Sequence, residues 1–492
     1  MDEIDPPKPF AKRLQEKLAA SRFFTFSLLL HVVLVIMGGS IVLIKSVSEA
    51  PDFEADSGGL VSGETIAAPP AEALPDLTQT FTPDTPQVTA PTISAISTTN
   101  LSTPTFQVAA SAPVIKPTQT DAMSKALENA SKTMAKGSGT GNLPGTMAGR
   151  MGGTSRQRMM MTNGGKKESE EAVLRGLRWL VKNQSEDGSW SKERRPAMTG
   201  FALLSFLGHG ETTTSPEFGT TVQKGIEWLL KNGTEFQGRL SMTKGGWGEG
   251  HSVYEHAICT YALGEYYTMT KDERVVELLK QAVSYIVNGQ GPDGGWMYSF
   301  DKSQSDTSVS GWMVQALKAA HLTGLNMEGV DPALDKAMLN FKRVQGPDGS
   351  FGYRTPGKGN GGHQTLDGVG VLCMYFWKQD KDKGIREGME HLMKMTEEWP
   401  VVYKGNKADL YVWYYNTQAC LMYGGSYWSK WNRMFQDELI KNQSPDGSWP
   451  PVAGAAPGGD IQRLPGGVGP FLRTNLCILM LEVYYRYSPT MK

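Results

Sequence analysis

One heptapeptide pattern constrains this chain more than any other feature. Gln184-Ser-Glu-Asp-Gly-Ser-Trp190, Gln290-Gly-Pro-Asp-Gly-Gly-Trp296, Gln345-Gly-Pro-Asp-Gly-Ser-Phe351 and Gln443-Ser-Pro-Asp-Gly-Ser-Trp449 are copies of it. Weaker positions, Gly245-Gly246-Trp247 and Trp399-Pro400, fill the gaps. The copies recur about every fifty residues, and a fixed period of that size marks a repeat architecture. Each copy follows an amphipathic stretch such as Ala172-Val-Leu-Arg-Gly-Leu-Arg-Trp-Leu-Val-Lys-Asn183 and precedes a more apolar one. The unit is therefore a helical hairpin. Its Asp-Gly makes the turn, with Gly at positive φ. Its Gln is placed to cap the open carbonyls of the preceding helix. Its Trp lies back as an apolar cover with one N–H to donate. Such a hairpin cannot bury both faces alone, so the copies must stack.

The period predicts six hairpins. Outer helices are expected near 168–183, 217–232, 272–288, 331–344, 382–397 and 427–442, and inner helices near 197–209, 252–268, 306–322, 363–378, 408–423 and 470–487. These Q-x-x-D-G-x-W turns resemble the QW motifs of squalene-hopene cyclases, which share an α/α toroid with protein prenyltransferase β subunits. The resemblance covers about two thirds of the chain. It implies an all-α fold, an (α/α)6 toroid over 167–490. The repeat turns Gln184, Trp190, Gln290, Trp296, Gln345, Phe351, Gln443 and Trp449 are its structural signature.

The part before the repeats reads differently. Residues 1–22 are polar and basic, and 23–44 form an uncharged apolar run. At 1.5 Å per residue that run spans about 33 Å, enough for a bilayer core. Basic residues precede it and Glu49, Asp52, Glu54 and Asp56 follow it. The expectation is a cytoplasmic tail (1–22), an uncleaved single-pass transmembrane helix (23–45), and a periplasmic or extracellular remainder. Within the span, Ser27 and His31 share a helix face, and a titratable group in hydrocarbon is a functional hypothesis by default. This S-x-x-x-H pattern resembles the anchor of TonB-type proteins and implies ExbB/ExbD-type motor partners; the competing reading is a histidine that snorkels to the interface. Residues 46–166 are rich in Pro, Thr, Ser and then Gly, and read as a disordered stalk. Its last part, 137–165, with the Met run 159–161, reads as flexible linker.

The 492 residues carry 49 basic and 50 acidic side chains, which gives no reason to expect nucleic acid. Cys259, Cys373, Cys420 and Cys477 contain no C-x-x-C pair. They read as buried free thiols, with a Cys373–Cys420 bridge as the alternative.

In a ring, the N-terminal ends of inner helices line a central hollow. The residues expected there are Tyr254, His256, Asp306, Trp312, His363, Asp367, Asp409 and Trp413, with His251, Glu255, Thr307, Ser308 and Gln364 near them. Taken singly, Asp306 and Asp409 read as N-caps and His363 as a turn residue. Together they read as a ligand site. The cyclases carry a D-x-D-D-T acid motif. The matching stretch is Ser303-Gln-Ser-Asp-Thr307, with Ser305 in the proton donor's place and only Asp306 left as a catalytic candidate. The prenyltransferases hold zinc on D-x-C and a His; here Ser308 replaces the thiolate, so no metal and no cofactor is expected. A polysaccharide-active barrel would need two carboxylates about 5–9.5 Å apart, which Asp306, Asp367 and Asp409 could supply. The leading expectation is a membrane-anchored binding or scaffold protein for a hydrophobic, sugar or protein ligand, more a binder than an enzyme. The alternative is an enzyme on polyprenyl or polysaccharide substrates.

Overall fold

The computed structural model describes residues 145–150, 152–241, 252–359, 364–377, 381–452 and 467–487. All of them lie in one unit, Pro75–Lys492. They are helical, and β-pairing is limited to isolated bridges, Gln184 with Trp190 and Gln345 with Phe351. The expected span at 23–44 with Ser27 and His31, the stalk up to 144, Gly245-Gly246-Trp247, His251 and His363 lie outside the described residues. Among the described residues no helix is long and apolar enough to cross a membrane.

A 3-10 turn, Gly145–Arg150, and helix α1, Gly153–Thr162, come first. Six outer helices follow: α2 (Lys167–Lys182), α4 (Gly219–Glu235), α6 (Val276–Asn288), α8 (Val330–Val344), α10 (Lys383–Glu398) and α12 (Gly425–Lys441). They alternate with six inner helices: α3 (Arg195–Gly208), α5 (Ser252–Thr270), α7 (Thr307–Leu322), α9 (Asp367–Phe376), α11 (Leu410–Tyr423) and α13 (Val468–Leu481), the last extended by the short α14 (Val483–Arg486). Outer helices bury one stripe, such as Ala172, Val173, Leu177 and Leu180 in α2. Inner helices are buried nearly all round, as a helix apolar on every face must be.

The inner helices pack in a cycle, α3 on α5, α5 on α7, α7 on α9, α9 on α11, α11 on α13, and α13 back on α3. Each also packs on the outer helix that follows it, and α13 on α2 completes the series. The repeat corners pin this arrangement, though not as the sequence implied. The glutamine does not cap its own helix. Its Nε2 donates to a carbonyl within its turn and to the first turn of the next outer helix: Gln184 to Thr221 O (3.0 Å), Gln290 to Ala333 O (2.7 Å), Gln345 to Gly384 O (2.7 Å). Gln443 donates to Ala172 O at 2.8 Å, joining the sixth hairpin to the first. The tryptophan caps the helix instead. Nε1 of Trp190, Trp296 and Trp449 donates to Leu180, Ile286 and Leu439 O, at 2.8, 2.7 and 2.8 Å. Phe351 has no such donor, and there Val344 O accepts from the backbone N–H of Gly352 and Gly357.

The turn glycines are required twice over. Gly188, Gly294, Gly349 and Gly447 have φ of 92°, 88°, 88° and 95°. A Cβ at these positions would lie 2.4, 2.2, 2.4 and 2.3 Å from a carbonyl of the next outer helix, Lys224, Lys336, Glu387 and Arg175 O. Only glycine permits that approach.

Two sequence expectations need correction. The fifth corner is not Trp399, which is half-buried under the Lys407 ammonium. Tyr403 takes the place: fully buried, it donates its N–H to Glu438 on α12 (2.7 Å) and its hydroxyl to Pro450 O (2.7 Å). The Gly/Met/Arg-rich stretch is not linker from residue 145 onward. Met160 is buried, and Asn163 and Gly164 offer their carbonyls to Trp428, Asn432 and Gln436 of α12. All four cysteines are buried and free.

Candidate binding site at the starts of the inner helices

Helix α7 begins at Asp306, whose Oδ1 accepts from the Val309 N–H at 2.9 Å. This is an N-cap. One turn in, Ser308 becomes the centre of a row of hydroxyls. Tyr254 of α5 donates to Ser308 Oγ (3.1 Å), and Tyr411 of α11 shares a hydrogen bond with the same oxygen. Tyr254 also pairs with the Tyr298 hydroxyl (3.2 Å), which pairs with that of Tyr353 (2.8 Å). Five hydroxyls, from Tyr353, Tyr298, Tyr254, Ser308 and Tyr411, thus run in series across three inner helices and two loops. All four tyrosines are partly exposed.

Below the row the core is aromatic. Trp312 is buried, stacked on Tyr414 (5.6 Å, 13°) and edge-on to Phe201 (5.3 Å, 88°). Gln315 joins the Tyr414 and Tyr415 hydroxyls. At one end of the row lies the Asp306 carboxyl, itself fully buried, with Oδ2 3.7 Å from Arg354 Nε. Burial pushes this acid above the usual carboxylate range, although the Val309 N–H and Arg354 work against that. Burial and the Asp306 charge push the hydroxyls of Tyr254 and Tyr353 up, so they stay protonated and able to donate. Deeper on α5, Glu255 accepts from Ser241 (3.0 Å) and faces Arg194 (3.8 Å).

The other expected residues are placed elsewhere. His256 is buried; Nδ1 accepts from Leu240 N–H (3.1 Å) and Nε2 donates to Ala282 O (2.8 Å), tying the chain before α5 to α6. Burial lowers its pKa to about 4, so it is neutral. Asp367 accepts from the Phe351 N–H (2.8 Å) and from His391 Nδ1 (2.8 Å) and Thr365 (3.1 Å). It holds the fourth corner, as Thr199, Ser310 and Thr474 hold theirs by accepting from the N–H of Trp190, Trp296 and Trp449. Asp409 caps α11 through the N–H groups of Tyr411 and Val412. Trp413 is buried within the helix layers. Of the expected residues, then, Tyr254, Asp306, Ser308 and Trp312 come together.

Tyr298 and Tyr353 escaped the sequence reading. Each stands two residues after a corner aromatic, Trp296 and Phe351. Extending the motif by two positions would have found both. Among the described residues no group of three His, Cys, Asp or Glu side chains could hold a metal ion. What the row offers is a series of paired hydroxyls on partly exposed aromatic rings.

Residues 169–385 match the family model described as "Domain of unknown function (DUF6288)". No curated protein matches the chain. Among solved structures, it is similar to an inactive variant of an α-1,6-mannanase of Salegentibacter sp. HEL1_6 in complex with α-1,6-mannotriose, at 12% identity over 65% of this chain and 99% of that one (TM-score 0.47). It is similar to a cellobiose 2-epimerase from Spirochaeta thermophila DSM 6192, at 12% identity over 68% and 98% (TM-score 0.49). It is also similar to a type II terpene cyclase from Scytonema in complex with geranylgeranyl dihydroxybenzoate, at 12% identity over 65% and 97% (TM-score 0.32).

Proposed function

We propose that the ring of hairpins is a binding module for a carbohydrate, seated on the hydroxyl row at the starts of the inner helices. The observation that carries this is the convergence of Tyr254, Tyr298, Tyr353 and Tyr411 on Ser308 and on one another. A sugar needs donors and acceptors at hydroxyl spacing and aromatic faces for its C–H surfaces, and tyrosine supplies both. A polyprenyl chain has no polar atoms with which to answer these hydroxyls, so it would gain nothing from the row.

Binding is favoured over hydrolysis because Asp367 and Asp409, the candidate second carboxylates, are held in corner and cap hydrogen bonds. Hydrolysis is the second reading. What favours it is Asp306, an acid buried at the edge of the row, whose pKa burial shifts upward, the direction a general acid requires. In this proposal the module is carried outside the cell on the anchor at 23–45, with Ser27 and His31 facing an ExbB/ExbD-type motor.

Titration calorimetry of the full-length protein against neutral and acidic oligosaccharides and against a polyprenyl diphosphate tests the reading. Saturable saccharide binding without product formation is expected. Saccharide turnover that disappears in Asp306→Asn establishes the hydrolytic reading instead, and binding of the polyprenyl compound alone rejects both.

A further inference from the structure

The ends of the inner helices opposite the hydroxyl row are closed by the chain's own 145–162 segment. Met147 is 1% exposed and sits among Tyr261, Glu265, Gln315, Lys318, Phe376 and Tyr487, side chains from three inner helices and the chain after α14. Arg150 is 0% exposed. Its guanidinium meets Glu265 of α5 through two bonds (2.7 and 3.2 Å), donates to Arg486 O (2.7 Å), and lies over the Tyr487 ring at 5.0 Å. Arg486 and the Tyr487 hydroxyl also face Glu265. One carboxylate therefore receives an arginine from the ring and a second from the segment.

The segment is held at points. Beyond Met147 and Arg150 there is one pair between Arg156 and Glu170 (3.4 Å) and one buried side chain in α1, Met160, while most other residues of α1 are partly or fully exposed. The tether is fixed just after α1, where Asn163 donates to Tyr484 O (2.6 Å) and Asn163 and Gly164 O accept from α12. Its packing is chiefly on α14. The layer beneath is not satisfied by it. Glu482, in the room left by Gly208, is 0% exposed; it faces His209, Arg486 and Arg150 through space, but neither of its carboxylate oxygens has a hydrogen-bond partner. An unpartnered buried carboxyl raises the free energy of the closed arrangement, and water reaching it would lower that of an open one. Segments held by few buried contacts open locally, well below the cost of global unfolding.

We propose that residues 145–162 are a tethered stopper, with Met147 and Arg150 as an internal ligand of a receptor site at this end of the ring, and that they leave it as a unit while the hairpins stay folded. The site accepts a peptide with an apolar side chain and an arginine three residues on. The inference does not depend on what the hydroxyl row binds.

Hydrogen exchange of the full-length protein, followed by mass spectrometry, tests it. Amides of 147–162 should exchange at least 100-fold faster than those of α11. Glu265→Gln should speed the segment at least 10-fold further and leave α7 and α11 unchanged. A synthetic peptide of residues 145–165 should bind the Arg150→Met protein and not the wild type, whose site is already filled. If the segment exchanges only together with the inner helices, or either variant unfolds the whole ring, the segment is an integral part of the fold and the proposal is overturned. A peptide that binds neither protein overturns it as well.

Discussion

Gly447 shows how much a single position can decide. Its φ of 95° excludes most side chains, and a Cβ there would lie 2.3 Å from Arg175 O across the junction of the last hairpin with the first. Gly447→Ala is expected to lower stability by roughly 2 kcal/mol or more, since strain and overpacking act together. Urea unfolding followed by circular dichroism measures this directly. His209 makes a second prediction at this scale. Burial alone would push the imidazole down, but hydrogen bonds to Glu170 (3.0 Å) and Glu211 (2.7 Å) outweigh it and hold the pKa at about 9. Burial likewise works to raise Glu170, and His209 outweighs it, giving about 2. A raised histidine contributes stability that is complete below its unfolded value of 6.5 and is lost as pH rises through about 9. A depressed carboxylate contributes above 4.5 and loses its share as pH falls through about 2. Arg156 and the buried Glu482 also face this group, so the comparison must be with a variant. The stability difference between wild type and His209→Gln should shrink steadily from pH 6.5 to 9. A difference that is flat across that window would show the imidazole to be neutral.

At the scale of elements, the helices were legible because two periods coincide: the amphipathic period marks each outer helix and the corner motif marks its end. Arg150 was not legible. Its partner Glu265 is 115 residues away, and no local pattern announces a buried pair. Tyr403 was missed for a related reason. It does a corner's work without Gln or Asp-Gly, by accepting a place against Glu438 and Pro450. Of the site, Tyr254, Asp306, Ser308 and Trp312 were readable from helix starts. Tyr298 and Tyr353 were not, because they stand in loops where hydrophobic periodicity says nothing. His256 and Asp367 drew attention for their chemistry, and their bonds to Leu240, Ala282 and Phe351 are structural. Tyr403→Phe removes the bond to Pro450 O and should cost about 0.5–1.5 kcal/mol, whereas Tyr403→Ala should cost about 3–5 kcal/mol through the cavity it leaves. Thermal unfolding of the two variants should rank them in that order.

For the whole molecule, the six hairpins act together because the last is joined to the first. Gln443 on Ala172 O and α13 on α2 and α3 close the cycle, and with it the inner-helix ends on which the hydroxyl row stands. The coupling proposed for the N-terminal part makes its own prediction: capture of ExbB-like proteins by the full-length chain should fall at least tenfold in His31→Ala, and capture that is unchanged would leave Ser27 and His31 as ordinary residues of the apolar run. The central claim is that tyrosine hydroxyls at one end of the ring hold a sugar. Its most direct test is calorimetric titration of the preferred oligosaccharide into Tyr254→Phe, Tyr298→Phe, Tyr353→Phe and Tyr411→Phe, each of which keeps the ring and removes one oxygen. The account predicts that each substitution weakens binding by about 0.5–1.5 kcal/mol while the ring stays folded, with the variant's own small loss of stability read separately by thermal unfolding. Four variants that bind the sugar as the wild type does would contradict it.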